Sequence, residues 1–514
     1  MEDPKETLCQ SYFFLKPEEA SFLELLYLLC SSDVGKRRFI EIECSEEDVH
    51  KVTEVRRRWV IFISVVLQWS LLFFRDPLAR IGDVFDKWLN VISANGGLLM
   101  FFINRLKGKV VKPDSLTSEL SVVGNVDWRI ELDDNIKPED ARYKGALSMM
   151  AAKWSYENED LIKTVVNDHW KMKFLRFYNC WNDYLGRDST QAFLFQDTTS
   201  DPNLIVVAFR GTEPFDADEW STDVDISWCE FSEVGKAHSG FMKALGMQPN
   251  YTWPLELKTE QVNVDQPHRF AYYTIRKKLI DLLQENKSAK FILTGHSLGG
   301  ALAVMFVAVL AMHGYEREYE LLMERLEGVY TFGQPRVGDA KFGGYMKEKL
   351  QKYGVRYMRY VYSNDLVARI PYDDKTLFFK HFGPSLYFNS CYKGKVVWLP
   401  SCCHLKFFSD ISSFRLWAKV LEEEPNKNYF NPLWVIPKSL NAVWELIRSF
   451  ILPLRRGSEY NEAWFMRALR VVGLILPGLV AHAPQDYVNL TRLGSLPSLA
   501  NPNNIIPQEN SKVD

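Results

Sequence analysis

At 514 residues the chain is too long for one compact core, which leaves one large domain with substantial additions, or two domains. A composition 47% hydrophobic and 25% charged excludes wholesale disorder, and a formal net charge of -3 gives no support to nucleic-acid binding by bulk attraction. Eight cysteines, at 9, 30, 44, 180, 229, 391, 402 and 403, have neither zinc spacing nor the density of a disulfide scaffold.

The start MEDPKETL is acidic where a signal peptide is basic and then apolar, so a cytosol-facing chain with reduced thiols is expected. Residues 1–140 read as an N-terminal helical region. Within it Arg56-Arg57-Arg58 leads into an uncharged run, Trp59 to Phe74, that ends at Arg75-Asp76-Pro77. As a helix this run spans roughly 24 Å, short of the roughly 30 Å hydrocarbon core of a bilayer. Asp76-Pro77 is expected to break the helix. After Gly96-Gly97 comes a second apolar patch, LLMFFI, followed by Arg105, Lys107, Lys109 and Lys112. Apolar, break, apolar, with basic ends, suits a hairpin over about 59–104 inserted into a membrane face or a lipid-droplet monolayer; a helix spanning a locally thinned bilayer and a buried core helix are the other readings. Deleting residues 56–106 is expected to release the protein from droplets and to spare hydrolysis of a soluble short-chain ester.

From about 141 to 405 the texture is α/β. Phe193 to Phe195 and Leu204 to Phe209 (LIVVAF) read as strands, the second of the continuously apolar kind found in buried parallel sheets. A surface helix over 267–286 feeds FILTGHSLGG, Phe291 to Gly300, which reads as strand, tight turn and helix. A strand at 328–332, a helix around 339–353 and a strand at 355–362 follow, and this alternation implies a mostly parallel, doubly wound sheet. Residues 406–480 hold, over 429–480, apolar, arginine-studded segments with prolines at 432, 437, 453 and 477. They suit a lid-like helical insertion, either lying on a lipid surface or buried as a cap. Residues 481–496 form a return segment, and 497–514 a polar tail expected to be disordered.

Gly295-His296-Ser297-Leu298-Gly299 fits the nucleophile elbow G-x-S-x-G, in which small residues two positions either side of the serine avoid a backbone collision. A serine hydroxyl needs a base and an acid to orient that base, and in α/β-hydrolases both follow the serine, acid first. Asp365, just past the strand at 355–362, is the best acid; Asp339, Asp373 and Asp374 stand where caps and solvated charges are usual. Three histidines follow the acid: His381, His404 and His482. His404 lies beside Cys402 and Cys403, but no further ligands occur at zinc spacing, and no metal or organic cofactor is implied. His296 and His238 are expected to be structural.

GHSLGG, with VAFRGT at 207–212, AHSGF at 237–241, FGQPRVGD at 332–339 and NDLVARIP at 364–371, resembles the class 3 (fungal-type) triacylglycerol lipases, in that family's order. The flanks, including the segment ending AHAPQDYVNLTRLG, resemble more narrowly the plant oil-body lipases. The resemblance implies an α/β-hydrolase fold, a Ser297–Asp365–His482 triad and an oxyanion hole from the Leu298 N–H with Thr212. It further implies an acylglycerol substrate met at the lipid-droplet (oil body) surface. A phospholipase or galactolipase, and a catalytically inactive droplet protein, remain as alternatives.

Overall fold

A computed structural model describes residues 9–31, 34, 37–43, 53–112, 119–247, 268–314, 317–373, 379–397, 435–457, 460 and 462–495. His404, Asp374 and the expected disordered tail lie outside the described residues.

Twelve strands make two sheets among the described residues. The smaller pairs β1 (Cys9–Leu15), β2 (Ile40–Glu43), β6 (Trp228–Phe231) and β7 (Gly235–His238) in the order β2-β1-β6-β7. In the larger, β3 (Lys173–Asn182), β4 (Arg187–Asp197), β5 (Leu204–Phe209), β8 (Lys290–His296), β9 (Leu326–Phe332), β10 (Arg356–Tyr362), β11 (Ser385–Phe388) and β12 (Gly394–Val397) run β12-β11-β10-β9-β8-β5-β4-β3. Strands β5, β8, β9, β10 and β11 are mutually parallel, and β3, β4 and β12 add antiparallel edges.

Strand side chains alternate, so successive residues of LIVVAF enter different cores. Ile205, Val207 and Phe209 join a cluster with the wholly buried helix Leu298–Met312; Leu204, Val206 and Ala208 join another with Leu147, Met150 and Val488. Helices therefore cover both faces, as a doubly wound sheet requires. This is an α/β-hydrolase arrangement with its functional loops at the carboxyl ends of the parallel strands.

The N-terminal region departs from expectation. Helix α1 (Val55–Ala94) runs unbroken through Pro77, and the chain first reverses at Asn95–Gly97 before α2 (Leu98–Leu106). Proline deprives the carbonyl one turn earlier of its partner, but Phe73 to Pro77 are all exposed, where water can supply it. Burial of Ile61 and Val65 on one side, and of Leu89 and Ile92 on the other, holds the two halves in line. By length and composition α1 could cross a membrane. It is nonetheless built into the fold: Ser64 Oγ donates to the Val224 carbonyl at 2.8 Å, fixing the end of α3 (Ala217–Val224). Excising residues 56–106 would strip that support, so the expected sparing of soluble-ester hydrolysis does not follow.

Pro437 and Pro453 likewise fail to cut the insertion, since α4 (Val435–Arg456) contains both. Pro437 falls in the first turn, where an N–H has no intrahelical partner to lose. The polarity of α4 is inverted relative to a core helix. Lys438, Asn441, Glu445, Arg448 and Ser449 are buried, whereas Ile436, Val443, Trp444, Ile447, Phe450 and Leu454 are exposed. After it, α5 (Trp464–Val472) and a turn through residue 482 lead to α6 (Pro484–Leu493).

Candidate active site

Ser297 sits between β8 and the helix opened by Leu298, with φ 58° and ψ -132°. A non-glycine residue at positive φ is strained, and here the strain lifts the serine off the strand end. The flanking glycines are dictated by backbone contact. A Cβ on Gly295 would lie 2.1 Å from the Gly299 carbonyl carbon, and one on Gly299 would lie 2.3 Å from the Phe209 oxygen. Leu298 starts its helix, so its N–H is among those left without an intrahelical acceptor and is available to a developing oxyanion.

Asp365 follows β10 and is fully buried. Its Oδ1 accepts the Val367 N–H at 2.8 Å, which orients the carboxylate, and its Oδ2 faces His482 Nδ1 at 2.9 Å. Tyr487 Oη, one turn into α6, donates to the same oxygen. Burial and the Asp365 charge push the Tyr487 pKa well up, so it stays a donor. Among the described residues His482 Nε2 has no protein hydrogen-bond partner, and both His482 and Ser297 line one cavity. The cavity has a volume of about 640 Å³ and is walled mainly by apolar side chains.

His296 is turned away from the nucleophile. Its Nε2 donates to the His482 carbonyl at 2.8 Å, and its Nδ1 accepts from Tyr156 Oη at 2.9 Å. Burial, then the neighbouring His482, lowers its pKa well below the ordinary value, so the ring is neutral and ties the elbow to the residue it faces. His238 bonds the Asp225 carbonyl at 2.9 Å and stacks on Phe241; burial lowers its pKa to about 4. His381 Nε2 meets the Ala368 carbonyl at 2.7 Å, behind the loop that carries Asp365. Asp339 caps a helix by accepting the Phe342 N–H at 2.8 Å.

Thr212, at the end of β5, lines the same cavity. Its Oγ1 donates to Asp223 Oδ2 at 2.8 Å, which fixes the hydroxyl beside the elbow. Asp223 is fully buried on α3, and desolvation pushes its pKa from 3.8 up to about 7, against the pull of the Thr212 bond and of His482. The folded chain thus retains a proton that the unfolded chain has released. Asp223 therefore makes stability fall as pH rises from 3.8 to about 7. Asp223→Asn is expected to remove that contribution, up to about 1.4 kcal/mol per pH unit, measured as the wild-type minus variant difference in urea unfolding across the window. Equal slopes in the two proteins would refute the assignment.

Sequence reasoning missed three of these residues. Asp223 and Tyr487 carry no local signal, because their roles arise from contacts with distant segments. Gly333 carries one: it sits at the end of β9 in the FGQPRVGD stretch, where functional loops gather. Its φ is +60°, and a Cβ there would lie 2.8 Å from both Asp365 Oδ2 and His482 Cε1. Gly333→Ala is expected to lower kcat on a soluble ester about a hundredfold by displacing that pair. An alanine variant with wild-type kcat would show that the pair is not needed in this geometry. Among the described residues no group of three or more His, Cys, Asp or Glu could hold a metal ion.

A nucleophile elbow on an α/β-hydrolase sheet, sharing a cavity with a histidine that is held by a carboxylate, defines a serine ester hydrolase. The sequence profile of the family described as lipase (class 3) matches residues 206–375. Three plant proteins named triacylglycerol lipase OBL1 are similar over most of their length. That of Nicotiana tabacum is 40% identical, covering 85% of this chain and 83% of its own, and that of Arabidopsis thaliana is 37% identical, covering 94% and 95%. The Ricinus communis protein is 34% identical, covering 96% and 97%. The chain belongs to the class 3 lipase family, in the oil-body-like subgroup of these plant relatives.

Proposed function

We propose that the protein hydrolyses the ester bonds of triacylglycerols, with di- and monoacylglycerols as further substrates, at the surface of lipid droplets facing the cytosol. Ser297 Oγ attacks the ester carbonyl while His482 takes its proton; Asp365 holds the imidazole in the productive tautomer and stabilises its charge. The N–H of Leu298 and Thr212 receive the oxyanion, each such donor being worth about 3 kcal/mol. His482 then returns the proton to the leaving diacylglycerol, and water completes the turnover.

The observation that carries this reading is the apolar cavity at Ser297 together with the apolar side chains exposed on α1 and beyond α5, two of the elements that line it. On α1, Phe73, Phe74, Ile81 and Val84 are exposed, and beyond α5 so are Ile475 and Leu476. Trp88 and Trp464 meet edge to face at 6.2 Å, joining α1 to α5, and Arg467 of α5 covers the Phe450 ring of α4 at 5.5 Å. The three helices are therefore neighbours, and the apolar side chains they leave exposed are costly in water and stabilised against oil. Arg105 in the last turn of α2, with Lys107 and Lys109 just beyond it, would meet phospholipid headgroups.

Activity on emulsified triacylglycerol, compared with phospholipid and galactolipid vesicles, tests the substrate. Negligible triacylglycerol turnover beside rapid vesicle hydrolysis would overturn it. For the surface, Ile475→Ser with Leu476→Ser is expected to weaken binding to phospholipid-coated oil droplets about tenfold or more, read by flotation. Undiminished flotation would remove these side chains from the docking face.

A further inference from the structure

Helix α1 lies outside the residues matched by the family profile, yet three of its side chains, Leu71, Leu78 and Phe85, line the cavity that holds Ser297. They are spaced seven apart, which is two turns, so they share one helix face and mark a stripe about 21 Å long. The neighbouring face carries Asp76, Asp83 and Asp86 and lines an adjoining polar cleft of about 490 Å³, which shares Tyr156 and Phe215 with the apolar cavity. Between the two faces the helix closes on the loop after Thr212: a Cβ on Gly82 would lie 2.8 Å from Phe215 Cβ. The sorting of residue types by helix face gives an apolar lining toward the nucleophile and a polar one away from it.

The chemistry of ester cleavage assigns the lining of the apolar cavity to two arms, one for the alcohol and one for the acyl chain. An alcohol leaving group must lie against His482, which returns its proton, and that histidine is flanked by Leu479, Val480 and the α5 residues Phe465 and Leu469. The carbonyl oxygen must face Leu298 and Thr212. The acyl chain is left the remaining arm, past Phe215, Ala217 and Trp220 toward Leu71 and Leu78. Phe85 touches both sets of lining residues, its ring 5.6 Å from Phe215 and 5.4 Å from Phe465.

We propose that α1 forms the outer wall of the acyl-chain arm, so that Leu71 and Leu78 determine selectivity for long fatty acyl chains. This rests on the reading of Ser297 as the nucleophile. It gives the N-terminal helix a role in substrate choice in addition to any role at a lipid surface.

The test uses the full-length chain and p-nitrophenyl esters from butyrate to palmitate, which vary the acyl group at constant leaving group. Leu71→Trp and Leu78→Trp are each expected to lower the palmitate-to-butyrate ratio of kcat/KM about tenfold or more, since each obstructs contact with several methylenes. Lys87→Gln, on the exposed flank of the same helix, should leave that ratio as it is. If a tryptophan variant does not fold by circular dichroism, the Leu71→Ala and Leu78→Ala pair should lower the ratio by removing the same contacts. An unchanged ratio in folded variants overturns the proposal. So does a change confined to esters in which the alcohol, instead of the acyl group, is lengthened. Hydrolysis that survives Ser297→Ala would instead overturn the underlying assignment of the nucleophile.

Discussion

His482→Ala is expected to lower kcat on a soluble ester about ten-thousandfold or more, with far less effect from the same change at His381. The difference follows from what each ring touches. His482 Nδ1 is held at 2.9 Å by Asp365, and its Nε2 has no protein partner among the described residues and borders the cavity shared with Ser297. His381 spends its Nε2 on the Ala368 carbonyl, and burial, reinforced by the charges of Arg359 and Arg336, lowers its pKa well below the ordinary value. A ring committed to a backbone acceptor, in surroundings that disfavour its protonated form, supports a loop and is a poor base for Ser297. Its removal should register chiefly as a lower unfolding midpoint, with a cost of about 1–3 kcal/mol for the carbonyl left unpaired. Asp365→Asn should approach the effect of His482→Ala, because an amide fixes the wrong tautomer. Equal inactivation by the His381 and His482 variants, with both folded, would refute the assignment of the base.

Arg470→Ala is expected to destabilise the folded chain by about 3–5 kcal/mol, measured by chemical unfolding, and to cost activity as well. Arg470 is buried in α5 and bonds Asp486 through both terminal nitrogens, at 2.8 and 2.9 Å, while its Nε bonds Glu462 at 2.9 Å. Arg448 of α4 adds a 3.0 Å bond to Asp486, and Glu445 lies 3.3 Å from Arg470. Burial alone would raise the Asp486 pKa, but the charges of Arg470 and Arg448 outweigh it and hold the carboxyl below 3.8. The stability this carboxylate contributes is present above that ordinary value and is lost only as pH falls through its depressed folded pKa. Deleting Arg470 strands buried carboxylates, and Asp486 lies in the first turn of α6, which also carries Tyr487 and begins two residues after His482. Arg470→Lys should restore only part of the loss, since one ammonium cannot serve Asp486 twice and Glu462 once. Full stability in Arg470→Ala would show that the cluster does not hold α4, α5 and α6 together.

The inverted polarity of α4 follows from the same cluster. Its arginine and glutamate face inward because their partners on α5 and α6 are inside, which leaves the apolar residues outward. Periodicity alone identifies such a helix as amphipathic, but it does not say which face is buried. Both readings of residues 406–480 were open for that reason, and the described part, from Val435 onward, combines them: a polar face on the core and an apolar face outside.

What the sequence determined by itself is what a few adjacent residues encode. The glycines around Ser297, the unbroken apolar run of LIVVAF and the alternation of strand and helix specify the elbow, the buried strand and the doubly wound sheet, because backbone collision and side-chain alternation act locally. Asp365 was legible from its place after a strand. Tertiary structure alone decided whatever depends on where the chain returns. Asp365 and His482 are 117 positions apart, and no local rule distinguishes His482 from His381 or shows that Gly333 must make room for the pair. The same holds at Pro77, where local propensity favours a break. Packing on both sides, with solvent to meet the freed carbonyl, keeps α1 whole and carries its apolar face to the edge of the cavity.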